Sequence, residues 1–210
     1  EYLETWPDRF DVDLWLFCDG PVHQSGNPQV VFGVRGVTGL ELTVYGPTRP
    51  LHSGHYGNWA PVPGQILAEL LATMKDADGN VIIDGFYDSV APLGREEEAA
   101  LARLPVYDDR LRDELALGWT EGAGETLTRR LMLPSLTVKG LRSGDVGEAA
   151  RNVIPDRAMA SLGIRLVKGN DPEAMLDLVE RHIEAQGFHI VREEPDRETR
   201  LQHQKIIRVE

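Results

Sequence analysis

The sequence predicts an α+β fold, and three observations predict it. Several stretches alternate apolar and polar side chains with a period of two, the mark of strands with one buried face. Two stretches carry apolar stripes at helical spacing. From Arg35 onward the order of these stretches is strand, helix, strand, strand, helix, strand. That order is the ferredoxin-like split pattern, a four-stranded antiparallel sheet with two helices on one of its faces.

Composition sets the outer bounds. The chain has 210 residues, of which 41% are hydrophobic and 27% charged, ordinary values for a globular protein with a substantial core. Its net charge is −12, from 34 acidic and 22 basic residues. A nucleic acid or an anionic membrane rewards a basic face, so neither is an expected partner. The one cysteine, Cys18, excludes an internal disulfide and a Cys-rich metal knuckle, and a reducing, cytoplasmic setting is expected. No apolar run approaches a membrane span, and "EYLETWPDRF" at the start lacks the basic and apolar regions of a signal peptide. The chain opens on Glu1 instead of Met, which suits a segment of a longer protein.

The elements follow in chain order. "DLWLFCDG", 13–20, is a short apolar run that reads as a strand buried on both faces, as in a parallel sheet. Asp19 lies at its carboxyl end, where open α/β sheets bind ligands. A turn ahead of Gly20-Pro21 accounts for Asp19 as well. In "GLELTVYG", Leu40, Leu42 and Val44 share one side, and Glu41, Thr43 and Tyr45 the other. The loop "PLHSGHYGNWAPVPG" comes next, 50–64, with two histidines three residues apart and glycines spaced closely around them. Ile66, Leu67, Leu70, Leu71 and Met74 then form one helical stripe, with Pro61 and Pro63 at its start.

Residues 80–133 are less regular and read as an insertion. "REEEAALARL" and "DDRLRDELAL" suit surface helices, and "GWTEGAGE" a loop. Strand character returns at Ser135–Leu141 and at Ala158–Val167, where Leu162, Ile164 and Leu166 share one face and Gly163, Arg165 and Val167 the other. "NDPEAMLDLVERHIEAQG" is a helix with Asp171 as N-cap, Pro172 in the first turn and Gly187 as its stop. "FHIVRE" and "QKIIRVE" supply the remaining strand character.

No complete catalytic set stands out within the chain. His52 and His55 are three apart, but Gly54 and Gly57 argue against the helix that would make them a metal pair. No Walker-type phosphate loop is present, and Ser53 has no partner base at a diagnostic spacing.

The motifs in sequence supply what spacing does not. "GVRG", "LHSG", "DGFYD" and "ARNVIPDRAMASLGIRLVKGNDPE" occur in an order that resembles the zinc metallopeptidase family of carnosine dipeptidase, carboxypeptidase G, aminoacylase and succinyl-diaminopimelate desuccinylase, its dipeptidase branch above all. The resemblance runs from Asp13 to about Gly187. It implies a catalytic α/β domain with two zinc ions and an inserted, ferredoxin-like lid domain through which subunits pair as homodimers. By this likeness, residues 1–34 are the end of the first catalytic segment and 35–210 the lid. The family's His-x-Asp motif, paired glutamates and last histidine ligand have no counterparts here, so the segment is expected to hold an incomplete metal site and to be inactive alone.

Roles follow residue by residue from the same resemblance. Asp19 matches a zinc-binding Asp, with Cys18 in place of the usual Ser. His52 matches a lid histidine that reaches into the partner subunit's site and stabilises the oxyanion. Asn152 matches a substrate-contacting Thr or Asn, and Arg165 an arginine that holds a substrate carboxylate. The expected substrate is a dipeptide or an N-acyl amino acid. Departures from the pattern are His55, Asn58 for a glycine, and Lys168 for a proline. The competing expectation is a non-catalytic ferredoxin-like interaction domain that retains these residues without using them.

Overall fold

The computed structural model describes residues 2–15, 26, 31 and 33–210. Its elements are α1 (Tyr2–Thr5), β1 (Gly36–Tyr45), β2 (Leu51–His52), α2 (Ser53–Tyr56), α3 (Pro63–Ala72), α4 (Arg95–Arg103), α5 (Asp108–Glu114), α6 (Leu127–Arg130), β3 (Ser135–Arg142), β4 (Val153–Ile154), β5 (Arg157–Leu166), α7 (Pro172–Ala185), β6 (His189–Val191), α8 (Arg197–Gln202) and β7 (Ile206–Val209). The class is α+β, as expected.

The sheet differs from the expectation in two respects. It has five strands, in the order β3-β5-β1-β7-β6, and it is mixed. β1 is antiparallel to β5 and β7, and β3 to β5, whereas the short β6 runs parallel to β7. Both C-terminal stretches therefore pair. A parallel neighbour requires a crossover, and α8, absent from the sequence reading, lies within the connection between them.

Period two decides what the sheet buries. Leu40, Leu42 and Val44 of β1 join Ala158, Ala160, Leu162 and Ile164 of β5 in one core. Leu67 and Leu70 of α3 and Met175, Val179 and Ile183 of α7 close the same core. Asp171 caps α7 by accepting from the Ala174 amide at 2.9 Å, and Gly187 adopts the left-handed φ of 82° that ends it. The segment read as an insertion is not wholly peripheral. Val81, Ile83 and Phe86 belong to the core, and the helices α4–α6 that follow carry no fully buried side chain.

The opposite sheet face is open along much of its length but closed at one end. Tyr45 and Ile206 are buried there, with the Arg200 guanidinium of α8 5.1 Å from the Tyr45 ring centre and that of Arg157 at 5.9 Å. The strand expected over 13–20 lies outside the described residues except for Asp13–Trp15. Those three are irregular, with Leu14 81% exposed.

One histidine of α7 carries a pH prediction. His182 Nε2 lies 2.8 Å from Thr73 Oγ1, and that hydroxyl donates to the Leu70 carbonyl at 2.7 Å. The imidazole therefore donates to the hydroxyl oxygen. Burial lowers its pKa from the ordinary 6.5. The unfolded chain then binds a proton more readily than the folded one, so this contribution to stability is complete above pH 6.5 and falls as pH drops below it. Urea midpoints measured between pH 7.5 and 5 should fall less steeply for His182→Gln than for the unaltered chain; equal slopes would contradict the assignment.

Candidate functional site

The histidine loop is tied down by a contact between segments far apart in sequence. β2 and β4 form a two-stranded antiparallel ribbon, with Leu51 opposite Ile154 and His52 opposite Val153. The Ser53 amide donates to the Asn152 carbonyl at 3.0 Å. The ribbon thus places His52 and Asn152 side by side, and both are exposed. The sequence carries no periodic signal for strands this short, so the pairing was not legible there.

Local chemistry orients the imidazole. The Gly54 amide donates to His52 Nδ1 at 3.1 Å. A Cβ at position 54 would sit 3.0 Å from the ring, which is why a glycine suits this turn. With Nδ1 accepting, a neutral imidazole carries its proton on Nε2, and that N–H is the donor left for a ligand. The His55 ring lies 4.7 Å from that of His52, and Tyr56 and Trp59 extend the row, their ring centres 6.2 Å apart. Trp59 is 81% exposed. Asn58 has φ 61°, a left-handed conformation that Asn tolerates better than most residues. The departure from glycine at this position therefore leaves the turn intact.

Arg165 stands elsewhere. It pairs in register with Val37 of β1 and Ser135 of β3 and is exposed on the face away from the core. The ten-residue β5 lies between it and the ribbon, a separation of roughly 25 Å at strand rise. A ligand of dipeptide size cannot touch His52 and Arg165 of the same chain. A second guanidinium, Arg35, was missed in the sequence. It precedes β1, and two-residue spacing from Val37 was the signal that it shares the Arg165 face.

Asp19 lies outside the described residues. Among the described residues, no group of three or more His, Cys, Asp or Glu side chains converges to hold a metal ion, so the chemistry of a metal centre does not fit this part of the chain.

Residues 32–190 match the sequence family described as the peptidase dimerisation domain. The chain belongs to that family. The dimerisation domain is 30% identical to human Beta-Ala-His dipeptidase over 190 residues, covering 88% of this chain and 37% of the relative. It is 28% identical to the Cys-Gly metallodipeptidase DUG1 of Saccharomyces cerevisiae over 176 residues, covering 83% of this chain and 37% of the relative. Among solved structures it is similar to the M20 family metallo-carboxypeptidase Sso-CP2 from Sulfolobus solfataricus, with a TM-score of 0.74 and 27% identity over 89% of this chain and 49% of that one. The dimerisation domain thus spans about a third of the length of these curated relatives and half of the carboxypeptidase. The family expected from the "LHSG", "NVIP" and "IRLV" motifs is the family found. No helix among the described residues is long and apolar enough to cross a membrane.

Proposed function

We propose that this chain is the lid and dimerisation portion of a di-zinc metallopeptidase that hydrolyses dipeptides or N-acyl amino acids. Residues 1–34 are the end of a catalytic segment, 35–210 the lid and 80–133 an insertion in it. β3-β5-β1-β7 with α3 and α7 form its ferredoxin-like body. The zinc ligands, Asp19 excepted, belong to parts of the protein beyond this chain, and the single cysteine suits a cytoplasmic setting.

One observation carries this reading: His52 is exposed, its Nδ1 is occupied by the Gly54 amide, and the ribbon sets it beside Asn152. In hydrolysis the amide C–N bond breaks while water supplies a hydroxyl to carbon and a proton to nitrogen. His52 Nε2–H donates to the carbonyl oxygen as negative charge develops on it. Asn152 contacts the same substrate, and Arg165 holds its carboxylate with a two-pronged guanidinium. Distance divides these duties between subunits. The site that uses Arg165 of one protomer takes His52 and Asn152 from its partner, which makes the homodimer part of the mechanism. β3 suits the pairing, as an edge strand with Val138 and Leu141 exposed.

The test is hydrolysis of a dipeptide panel, with added zinc, by the full-length protein and by the 210-residue chain. The full-length protein is expected to turn over and the chain to be silent. Turnover by the chain alone would refute the division of labour. A silent full-length protein would favour the non-catalytic interaction domain.

A further inference from the structure

The start of the β1–β5 pair carries two arginines that no described carboxylate pairs with. Val37 faces Arg165 across the pair, and Arg35 precedes Val37 by two residues. Side chains two apart share a face, so Arg35 and Arg165 are diagonal neighbours on the side of the sheet away from α3 and α7. Neither forms an ion pair or side-chain hydrogen bond with another described residue. Nearby Lys168, by contrast, has Glu97 at 3.7 Å.

Arg35 is also half-buried. It lines a cavity of about 660 Å³ whose walls include Leu131, Met132, Leu166, Lys168 and Glu97. The Glu97 carboxylate accepts from the Gly94 amide and lies 3.7 Å from Lys168, and it forms no ion pair with Arg35. Burial first, and then the Arg165 guanidinium, lower its pKa. Both causes disfavour the charge that an arginine keeps regardless. A purely structural arginine in such a place takes a carboxylate or carbonyl partner, and a chain with 34 acidic residues has acids to spare. An anion between the two guanidiniums removes the repulsion and supplies the missing acceptors.

We propose that Arg35 and Arg165 together form a carboxylate-binding site, Arg35 from the mouth of the cavity and Arg165 from the open sheet face. The proposal rests on the reading of Arg165 as the residue that holds the substrate carboxylate, and it adds Arg35 as a second binding residue. Two planar forks donate directional hydrogen bonds to both carboxylate oxygens, which a single flexible cation cannot do. Lys168 is already engaged by Glu97 and takes no part.

The experiment follows the arginine Nε–Hε signals of the ¹⁵N-labelled 210-residue chain during titration with acetate, against sodium chloride at equal ionic strength. Arg35 and Arg165 are expected to shift together along one saturable curve under acetate alone. Arg35→Ala, and Arg35→Lys as the variant that keeps the charge, should each weaken the binding reported by Arg165 by roughly tenfold or more. Overturning results are a response from Arg165 alone, equal shifts under chloride, or an Arg35→Lys curve that superimposes on the unaltered one. Failure of the peptidase reading looks different: the full-length protein would hydrolyse nothing while both arginines still bound acetate. An active full-length enzyme whose KM ignores Arg35→Lys would instead remove this site and leave the peptidase.

Discussion

If His52 is the proposed oxyanion donor, replacing it by Ala in the full-length protein is expected to lower kcat by about a hundred- to a thousandfold, the usual cost of one such donor. KM is expected to move little, because the hydrogen bond strengthens only as charge develops on the carbonyl oxygen. The imidazole is exposed, so its removal leaves the fold intact. The sharper form of the experiment mixes two inactive variants, His52→Ala and Arg165→Ala. β5 separates the two side chains within one chain, so on the proposed reading each complete site draws them from different protomers. A hybrid dimer then contains one intact site. Random mixing makes half of the dimers hybrids, so about a quarter of the activity returns. If His52 and Arg165 served the same site from the same chain, neither site of the hybrid would be intact, and no activity would return. An unaltered kcat in His52→Ala would remove the oxyanion role outright.

The second large effect concerns the core. Leu42 of β1 is fully buried, with Ala160 opposite it on β5 and Val209 opposite it on β7. Its side chain fills the middle of the sheet's inner face, where a small partner leaves little to collapse into the space. Leu42→Ala is expected to cost about 3 kcal/mol of folding stability, within the range for large-to-small core substitutions. Urea unfolding of the chain should show a lower midpoint at unchanged slope. Val37 lies on the same strand but is 65% exposed, so Val37→Ala should change stability by less than about 0.5 kcal/mol. A Leu42→Ala loss no larger than that of Val37→Ala would show that the core relaxes around the missing atoms.

Much of the secondary structure was legible because the signals are local. The stripe from Ile66 to Met74 needs only helical geometry, and Asp171, Pro172 and Gly187 act within a turn of their own positions. The alternation in β5 placed Arg165 opposite Leu162, Ile164 and Leu166, and the side chain is exposed on that opposite face. What local signals missed is equally specific. β6 has three residues and α8 six, too few to show a period. The ribbon that joins His52 to Asn152 rests on two residues from each strand. The likeness to the metallopeptidases named His52, Asn152 and Arg165 but carried no distances between them.

The sequence by itself determined the strand and helix faces and the family, because each depends on residue type and short-range spacing. It did not give the short helix α2, which forms over Ser53–Tyr56 with His52 as its N-cap although Gly54 and Gly57 argue against a helix there. Only the tertiary structure decided which of the named residues stand together. Strand pairing brings 52 against 153 and 37 against 165, and register is a property of two distant segments at once. For that reason the imidazole and the guanidinium, alike candidates in the sequence, lie a strand's length apart, one on the β2–β4 ribbon and one near the end of β5, and it is the pairing of β1 with β5 that sets Arg35 near Arg165.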